Sequence, residues 1–156
     1  MNIRHLIRTS VLATALLAGY ASTALAADEA DVQVTAAVIN NCKIIDTQDI
    51  NFGSLDPANA IDVNADGAVV LKCTKGVDYS LSADMGQNES NGARRMKAGA
   101  SEDFLNYALG EDSFAGTGQG FSTPISVALA ATVAGNDYRD LPADAYSDTL
   151  RFTVTP

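Results

Sequence analysis

The segment SDTLRFTVT, residues 147–155, alternates polar and apolar side chains near the end of the chain. Leu150, Phe152 and Val154 fall on one face of an extended backbone, while the residues between them are polar or charged. A period of two residues is typical of a β-strand that turns one face toward a core. The segment therefore predicts a half-buried strand close to the C-terminus.

Further segments upstream have the composition and length of short strands. In chain order they are residues 43–45, 50–53, 69–73, 77–82, 104–109 and 125–133. The stretch 83–100 is predicted as a turn with a polar edge, and the stretches 111–120 and 135–145 are predicted as loops. Turn signals about every ten residues, with helix limited to a turn or two, predict an all-β antiparallel sandwich of about seven strands.

Residues 32–39, VQVTAAVI, form one more alternating segment, which precedes Cys42, the first of the two cysteines. Val32, Val34, Ala36 and Val38 share one face. The segment is either an edge strand of its own sandwich or a strand donated to a neighbouring subunit. In the second case its main chain would pair with an open sheet edge, and its alternate side chains would fill a groove. The composition is compatible with both interpretations.

Residues 1–26 have the parts of a secretory signal peptide. Arg4 and Arg8 precede a contiguous apolar run at 11–19, which is too short for a permanent membrane anchor, and the small-x-small triplet ALA occupies 24–26. We therefore predict cleavage after Ala26 and export. The mature chain would be a single domain of 130 residues with a modest core.

The composition of the mature chain argues against several classes of function. Loss of Arg4 and Arg8 takes the ten basic residues to eight against 19 acidic ones, a net charge of −11, which disfavours binding to nucleic acid or anionic membranes. The single histidine, His5, leaves with the signal, so no imidazole remains for acid–base catalysis or metal binding. We predict no catalytic residue, no metal ligand and no cofactor.

Cys42 and Cys73 are the only cysteines. An even pair in an exported chain predicts a structural disulfide, which would stabilise the fold by roughly 3 to 4 kcal/mol for a loop of about 30 residues. A redox pair would prefer a Cys-x-x-Cys spacing, which is absent here.

Three polar motifs are candidate functional sites. Residues 62–67, DVNADG, match the first half of a calcium loop, but the twelfth position holds Cys73 instead of Glu, which favours a plain turn at 66–67 into the next strand. The acidic pairs at 102–103 and 111–112 are sequence neighbours whose side chains diverge, which favours solvated loop acids over glycosidase carboxylates. The basic cluster at 94–97 is predicted as a solvated turn.

The order and spacing of several short motifs resemble the spore coat protein U domain family, which includes the major pilins of archaic, Csu-type chaperone–usher pili. Each motif is weak alone, but together they cover nearly all of the mature chain. The matching stretches are residues 40–42, 50–53 with 56–57, 67–73 with Gly76, 79–82, 95–96, 105–109 and 145–154.

The resemblance implies an incomplete immunoglobulin-like sandwich that lacks its last strand and is completed by the N-terminal strand of the next subunit. It implies a homopolymer of identical subunits at the cell surface, used for attachment and biofilm formation. The implied partners are a periplasmic chaperone and an outer-membrane usher. A tip adhesin is a further partner compatible with the resemblance. The corresponding organisation is a signal peptide at 1–26, a donor segment at 27–40 and the sandwich domain at 41–156.

The resemblance also assigns roles to individual residues. The donor side chains would be Val32, Val34, Ala36 and Val38. Cys42 would be bonded to Cys73, and Leu150, Phe152 and Val154 would border the acceptor groove and contact the chaperone. The sequence departs from the family pattern at 110–112, GED, where an aromatic residue often precedes the acid, and at its last two residues, Thr-Pro. A self-contained secreted coat or matrix protein remains the alternative, ahead of an adhesin domain or an exported enzyme.

Overall fold

The computed structural model describes residues 27–156, so the predicted signal peptide at 1–26 lies outside the described residues. The chain divides into two units, Met1–Ala36 and Ala37–Pro156. The described part of the first unit, residues 27–36, has no regular secondary structure. All of the strands among residues 27–156 lie in the second unit.

In the described part of the chain, nine strands form two antiparallel sheets. The strands are β1 Cys42–Gln48, β2 Val63–Cys73, β3 Asp78–Ala83, β4 Arg94–Ala98, β5 Phe104–Leu109, β6 Ser113–Thr117, β7 Ile125–Val133, β8 Tyr146–Ser147 and β9 Phe152–Thr155. The larger sheet has the order β1-β2-β7-β5-β4-β8, and the smaller has the order β6-β3-β9. The predicted all-β antiparallel class is therefore confirmed, and β5 and β7 have the predicted bounds.

Helix is confined to two short pieces in the part of the chain that the structure describes. A 3₁₀ turn at Pro57–Asn59 is capped by the Asp56 carboxylate, and α1 spans Gly135–Tyr138 inside a predicted loop. The Tyr138 hydroxyl donates to the Ile61 carbonyl and accepts from its amide, at 2.8 and 3.0 Å. Neither piece is long or apolar enough to cross a membrane.

The main core is built by alternate residues of strands on both sheets. Val69 and Leu71 of β2 are buried against Leu81 of β3 and Leu129 of β7. A second cluster, at Leu105, Val133 and Tyr138, fills the other end of the sandwich. Because successive strand residues point to opposite faces, the two-residue period of these segments is what places their apolar side chains inside.

The predicted turn at 66–67 is wrong. Asp66 and Gly67 lie within β2, opposite Ala130 and Leu129 of β7, so the half calcium motif at 62–67 runs into a strand. A Cβ atom at Gly67 would lie 2.7 Å from Cγ1 of Ile50, so glycine is needed there for close packing and not for a turn. Among residues 27–156, no group of three or more acidic, histidine or cysteine side chains is placed to hold a metal ion.

The predicted polar edge at 83–100 contains β4, so the basic cluster is not a solvated turn. Arg94 is 8% exposed, and its Nη2 atom donates to the Asp84 carbonyl at 2.9 Å. The guanidinium of Arg95 lies 4.1 Å from the centre of the Phe104 ring. The sequence analysis missed this strand because its charged residues indicated a solvated turn. In the structure Arg94 and Arg95 both have partners elsewhere in the chain.

The predicted loop at 111–120 likewise contains β6, which pairs with β3. Its residues alternate between exposed and half-buried, and only Phe114 contributes a large apolar side chain to the core. Each of the acidic pairs at 102–103 and 111–112 contributes one ion pair. Asp112 pairs with Arg94 at 3.6 Å, and Glu102 pairs with Lys97 at 3.0 Å. The strand count is therefore nine instead of seven.

Candidate functional site

Two of the four edge strands in the described sheets, β1 and β9, lead to or border a stretch of unpaired backbone. Strand β9 pairs with β3 on one side only, and β1 pairs only with β2. After β1, residues 49–55 form no strand and no backbone–backbone hydrogen bond to another described residue. The strand piece predicted at 50–53 is therefore not formed. Unpaired edge backbone offers donors and acceptors to an incoming strand.

A groove lies between residues 49–55 and residues 146–152, which we call its first and second walls. The cavity between these walls has a volume of about 430 Å³. An adjoining cavity of about 500 Å³ lies between residues 50–55 and residues 141–146. Both cavities are lined by Ile50, Phe52, Met96 and Tyr146.

The groove is lined by apolar side chains that the chain leaves half-buried. Ile50 and Phe52 of the first wall and Leu150 and Phe152 of the second are all in this state. Ile50 and Phe152 pack on the main core cluster, and Phe52 packs on the second. Since core residues of a folded domain are normally covered on every side, this region accommodates another layer of apolar side chains.

The structure places the three predicted acceptor residues differently with respect to the groove. Leu150 and Phe152 line the smaller cavity. Val154 is half-buried against the main core but lines neither cavity. The strand predicted at 147–155 is formed only over Phe152–Thr155, so Leu150 lies before β9 and outside any strand. All three residues are half-buried, while Arg151 and Thr153 are exposed.

The predicted donor residues lie outside any strand. Residues 27–41 have no regular secondary structure, so the strand predicted at 32–39 is not formed in the described single chain. Val32, Val34 and Val38 are 84%, 90% and 88% exposed. A strand needs a paired edge to satisfy its backbone, and none is paired with this segment here.

The predicted donor segment is followed by a firmly held point of the sandwich. The Sγ atoms of Cys42 and Cys73 are bonded to each other, and the ladder of β1 and β2 begins at this pair. One residue earlier, the Asn41 amide donates to Oγ1 of Thr74 at 3.1 Å, and the Thr74 amide donates to the Asn41 carbonyl at 2.9 Å. The junction is therefore fixed up to Asn41, while Val38 and the residues before it are exposed.

The second wall is anchored by a carboxylate that sequence analysis did not identify. Oδ1 of Asp148 accepts hydrogen bonds from the Gln87 amide at 3.0 Å and from Nδ2 of Asn88 at 2.9 Å. Its Oδ2 accepts from the Tyr107 hydroxyl at 2.7 Å. Burial raises the pKa of Tyr107, and the hydrogen bond to Asp148 raises this pKa further.

A second carboxylate anchors the same wall three residues later. Oδ1 of Asp84 accepts from the Arg151 amide at 2.9 Å, and the Asp84 amide donates to the Arg151 carbonyl at 2.9 Å. The hydrogen bond from the Arg151 amide is the main cause of a lowered pKa at Asp84. The sequence contains one signal that could have identified Asp148. It lies in phase with the apolar residues Leu150, Phe152 and Val154, and an acid on that face requires hydrogen-bond partners.

Comparison with known proteins supports the family and the fold. The Spore Coat Protein U domain family matches residues 28–153. No curated protein gives a significant match. Among solved structures, the chain is similar to one in the crystal structure of the CsuC–CsuE chaperone–tip adhesion subunit pre-assembly complex from archaic chaperone–usher Csu pili of Acinetobacter baumannii. The identity is 21%, the TM-score is 0.50, and the match covers 75% of this chain and 40% of that chain.

At that identity the similarity supports the fold alone. The two antiparallel sheets with an open edge are consistent with an incomplete immunoglobulin-like sandwich. This chain spans 40% of the length of the matched chain.

Proposed function

This chain belongs to the Spore Coat Protein U domain family, and on that premise we propose that it is a structural, non-enzymatic subunit of a chaperone–usher pilus. Each subunit donates residues 27–40 to the groove of the next identical subunit. Subunits cross the periplasm and are assembled into a polymer at the cell surface, where it serves attachment and biofilm formation.

The observation that carries this proposal is the match between an unfilled groove and an unpaired segment of the same chain. The groove offers half-buried apolar side chains between unpaired backbones, and the segment offers exposed alternate valines. A donated strand would pair with the edge of β9 and place Val32, Val34, Ala36 and Val38 over the groove. Fully burying one valine is worth roughly 1.5 kcal/mol or more, so several acting together bind strongly.

The same groove requires a partner before polymerisation, because an open apolar edge invites aggregation. In our proposal a periplasmic chaperone covers Leu150, Phe152 and Val154 until an outer-membrane usher brings the next subunit. The matched solved structure is described as a complex of a chaperone with a tip adhesion subunit. By analogy, a tip adhesin would end the fibre formed by this chain.

The alternative is a self-contained secreted coat or matrix protein, whose first strand pairs within its own sandwich. The exposed valines favour donation over this alternative, since a self-paired strand would bury one apolar face.

A gel of surface-sheared material, run unheated and after boiling in denaturant, distinguishes the two functions. Donated strands would give a ladder of multimers that collapses on boiling, because dissociation of an inserted strand is slow. A single monomer band in both lanes would contradict the pilus proposal and support the coat-protein function.

A further inference from the structure

We infer that Asp148 is a positioning residue, which holds the second wall of the groove in the shape that receives the incoming strand. This inference deepens the proposed function and rests on it. It concerns how quickly the empty groove captures a strand, and it assigns that property to a side chain that lines the smaller cavity and is held in a hydrogen-bonded network.

The middle of the second wall lacks the backbone hydrogen bonds that fix its two ends. Residues 148–150 lie between β8 and β9, and they make no backbone–backbone hydrogen bond with another described residue. This link leads from the edge of the larger sheet to the edge of the smaller one. Its position therefore depends on side-chain contacts at its two ends.

Asp148 provides the anchor at the first end of the link. Its carboxylate accepts three hydrogen bonds from the segment at 87–88 and from β5. Any side chain at Gly86 would collide with this carboxylate, and the backbone there has a φ of +80°, which glycine adopts without strain. The loop is therefore shaped around the carboxylate.

Asp84 provides the anchor at the second end, through its two hydrogen bonds with the Arg151 backbone. Leu150, which lines the smaller cavity, lies between the two anchors. Tyr107 lines the same cavity while its hydroxyl donates to Asp148. The hydrogen bond between Asp148 and Tyr107 therefore lies at the apolar surface that a donated strand would cover.

An empty groove with a loose wall would have to be ordered at the moment of capture. Ordering side chains and backbone on binding lowers affinity and slows association, and a preorganised site avoids that cost. Once a strand is seated, its own hydrogen bonds hold the wall. Loss of Asp148 should therefore slow capture far more than it speeds release.

The test uses the mature chain, residues 27–156, with an excess of a biotinylated synthetic peptide of residues 27–40. Association is followed as denaturant-resistant complex on unheated gels, and dissociation is followed after a chase with unlabelled peptide. Asp148→Ala should slow association at least about tenfold, because hydrogen bonds to a charged group are lost, while dissociation changes less than about threefold. Asp148→Asn should leave both rates close to those of the parent, since the amide can serve the same partners.

Asp78→Ala is the matched control. Its carboxylate accepts one hydrogen bond from Oγ1 of Thr117 at 2.8 Å, and it lies on β3 away from the cavity linings. It removes the same charge and should leave both rates unchanged. Equal association by Asp148→Ala and the parent would overturn the inference, and so would a dissociation rate that rises as much as association falls.

Two further measurements keep the result decisive. If the parent chain fails to capture the peptide, the proposed function fails, whereas capture by the parent with an unaffected Asp148→Ala overturns only the role of Asp148. If Asp148→Ala does not fold, Tyr107→Phe removes one of the three hydrogen bonds and keeps the ring. It should slow association by about threefold, and an unchanged rate would overturn the inference.

Discussion

Strands β2 and β9 have the same alternation of apolar and polar residues but very different burial. In β2, Val69 and Leu71 are 1% and 0% exposed, whereas Phe152 and Val154 of β9 remain half-buried. The cause lies in their neighbours, because β2 is flanked by β1 and β7 while β9 has β3 on one side only. Alternation therefore determines which face is apolar, and neighbouring strands determine whether that face is covered.

The two regions also differ in what fixes their backbones. Strand β2 pairs with β7 over nine successive residue pairs, Val63–Val133 to Leu71–Ile125. The link before β9 depends on the carboxylates of Asp84 and Asp148. Regions with few backbone hydrogen bonds open at lower free energy than paired core strands. The groove wall is thus the part of the sandwich suited to exchange one partner for another.

The largest expected effect comes from a charge placed on the donor face. Val34→Asp should abolish the heat-sensitive ladder of multimers, because the charge would be buried in an apolar groove without a partner. The free energy of unfolding of the monomer should change by less than about 0.5 kcal/mol, since Val34 is 90% exposed. Gel analysis and urea unfolding measure the two effects separately.

Gln33→Asp is the control for that substitution, because it adds the same charge one residue earlier on the opposite face. Its fibres should assemble normally. Normal fibres from Val34→Asp would contradict the donor role of this face, and loss of fibres from both variants would point to the charge and not to the face.

The next largest effect concerns the covalent bond at the well-paired end of the sandwich. Replacing Cys42 and Cys73 together with serine should lower the free energy of unfolding by about 3 to 4 kcal/mol, since the bond joins residues 31 positions apart. Urea unfolding of the mature chain measures this loss. An unchanged midpoint would mean that the bond contributes nothing beyond the β1–β2 ladder.

Local pattern predicted the strands that alternate and missed those that do not. The bounds of β7 were predicted correctly because its apolar residues follow a two-residue period between turn signals. Strand β4 was missed because two of its five residues are arginines, whose partners at Asp84, Asp112 and Phe104 are distant in sequence. Gly67 was misread as a turn because close packing and tight turns both require glycine.

The candidate site divides in the same way. Alternation alone placed Leu150, Phe152 and Val154 on one face. It could not identify the anchors of the wall, because Asp148 bonds to residues 61 and 41 positions away, at Gln87 and Tyr107. Long-range polar contacts leave no periodic signal, apart from an acid standing where an apolar residue is expected.

A smaller effect should distinguish the half-buried wall from the core. Leu150→Ala should lower the free energy of unfolding of the monomer by about 1 to 2 kcal/mol, because much of this side chain is already exposed to the groove. Leu81→Ala, at a position with 0% exposure, should cost about 2 to 5 kcal/mol. Peptide capture should weaken in the Leu150 variant, and equal losses of monomer stability in the two variants would contradict the open groove.

The smallest effect is a dependence on alkaline pH at the anchor of the wall. Burial raises the pKa of Tyr107, and Asp148 raises it further, so the folded state keeps a proton that the unfolded chain releases near pH 10. The resulting stability is complete below that pH and is lost as pH rises toward the folded pKa. Tyr107→Phe should reduce the fall in the free energy of unfolding between pH 9.5 and about 11, measured by urea unfolding. An identical fall in the free energy of unfolding of both proteins would show that other groups cause the loss of stability at alkaline pH. It would also show that Asp148 does not raise the pKa of Tyr107.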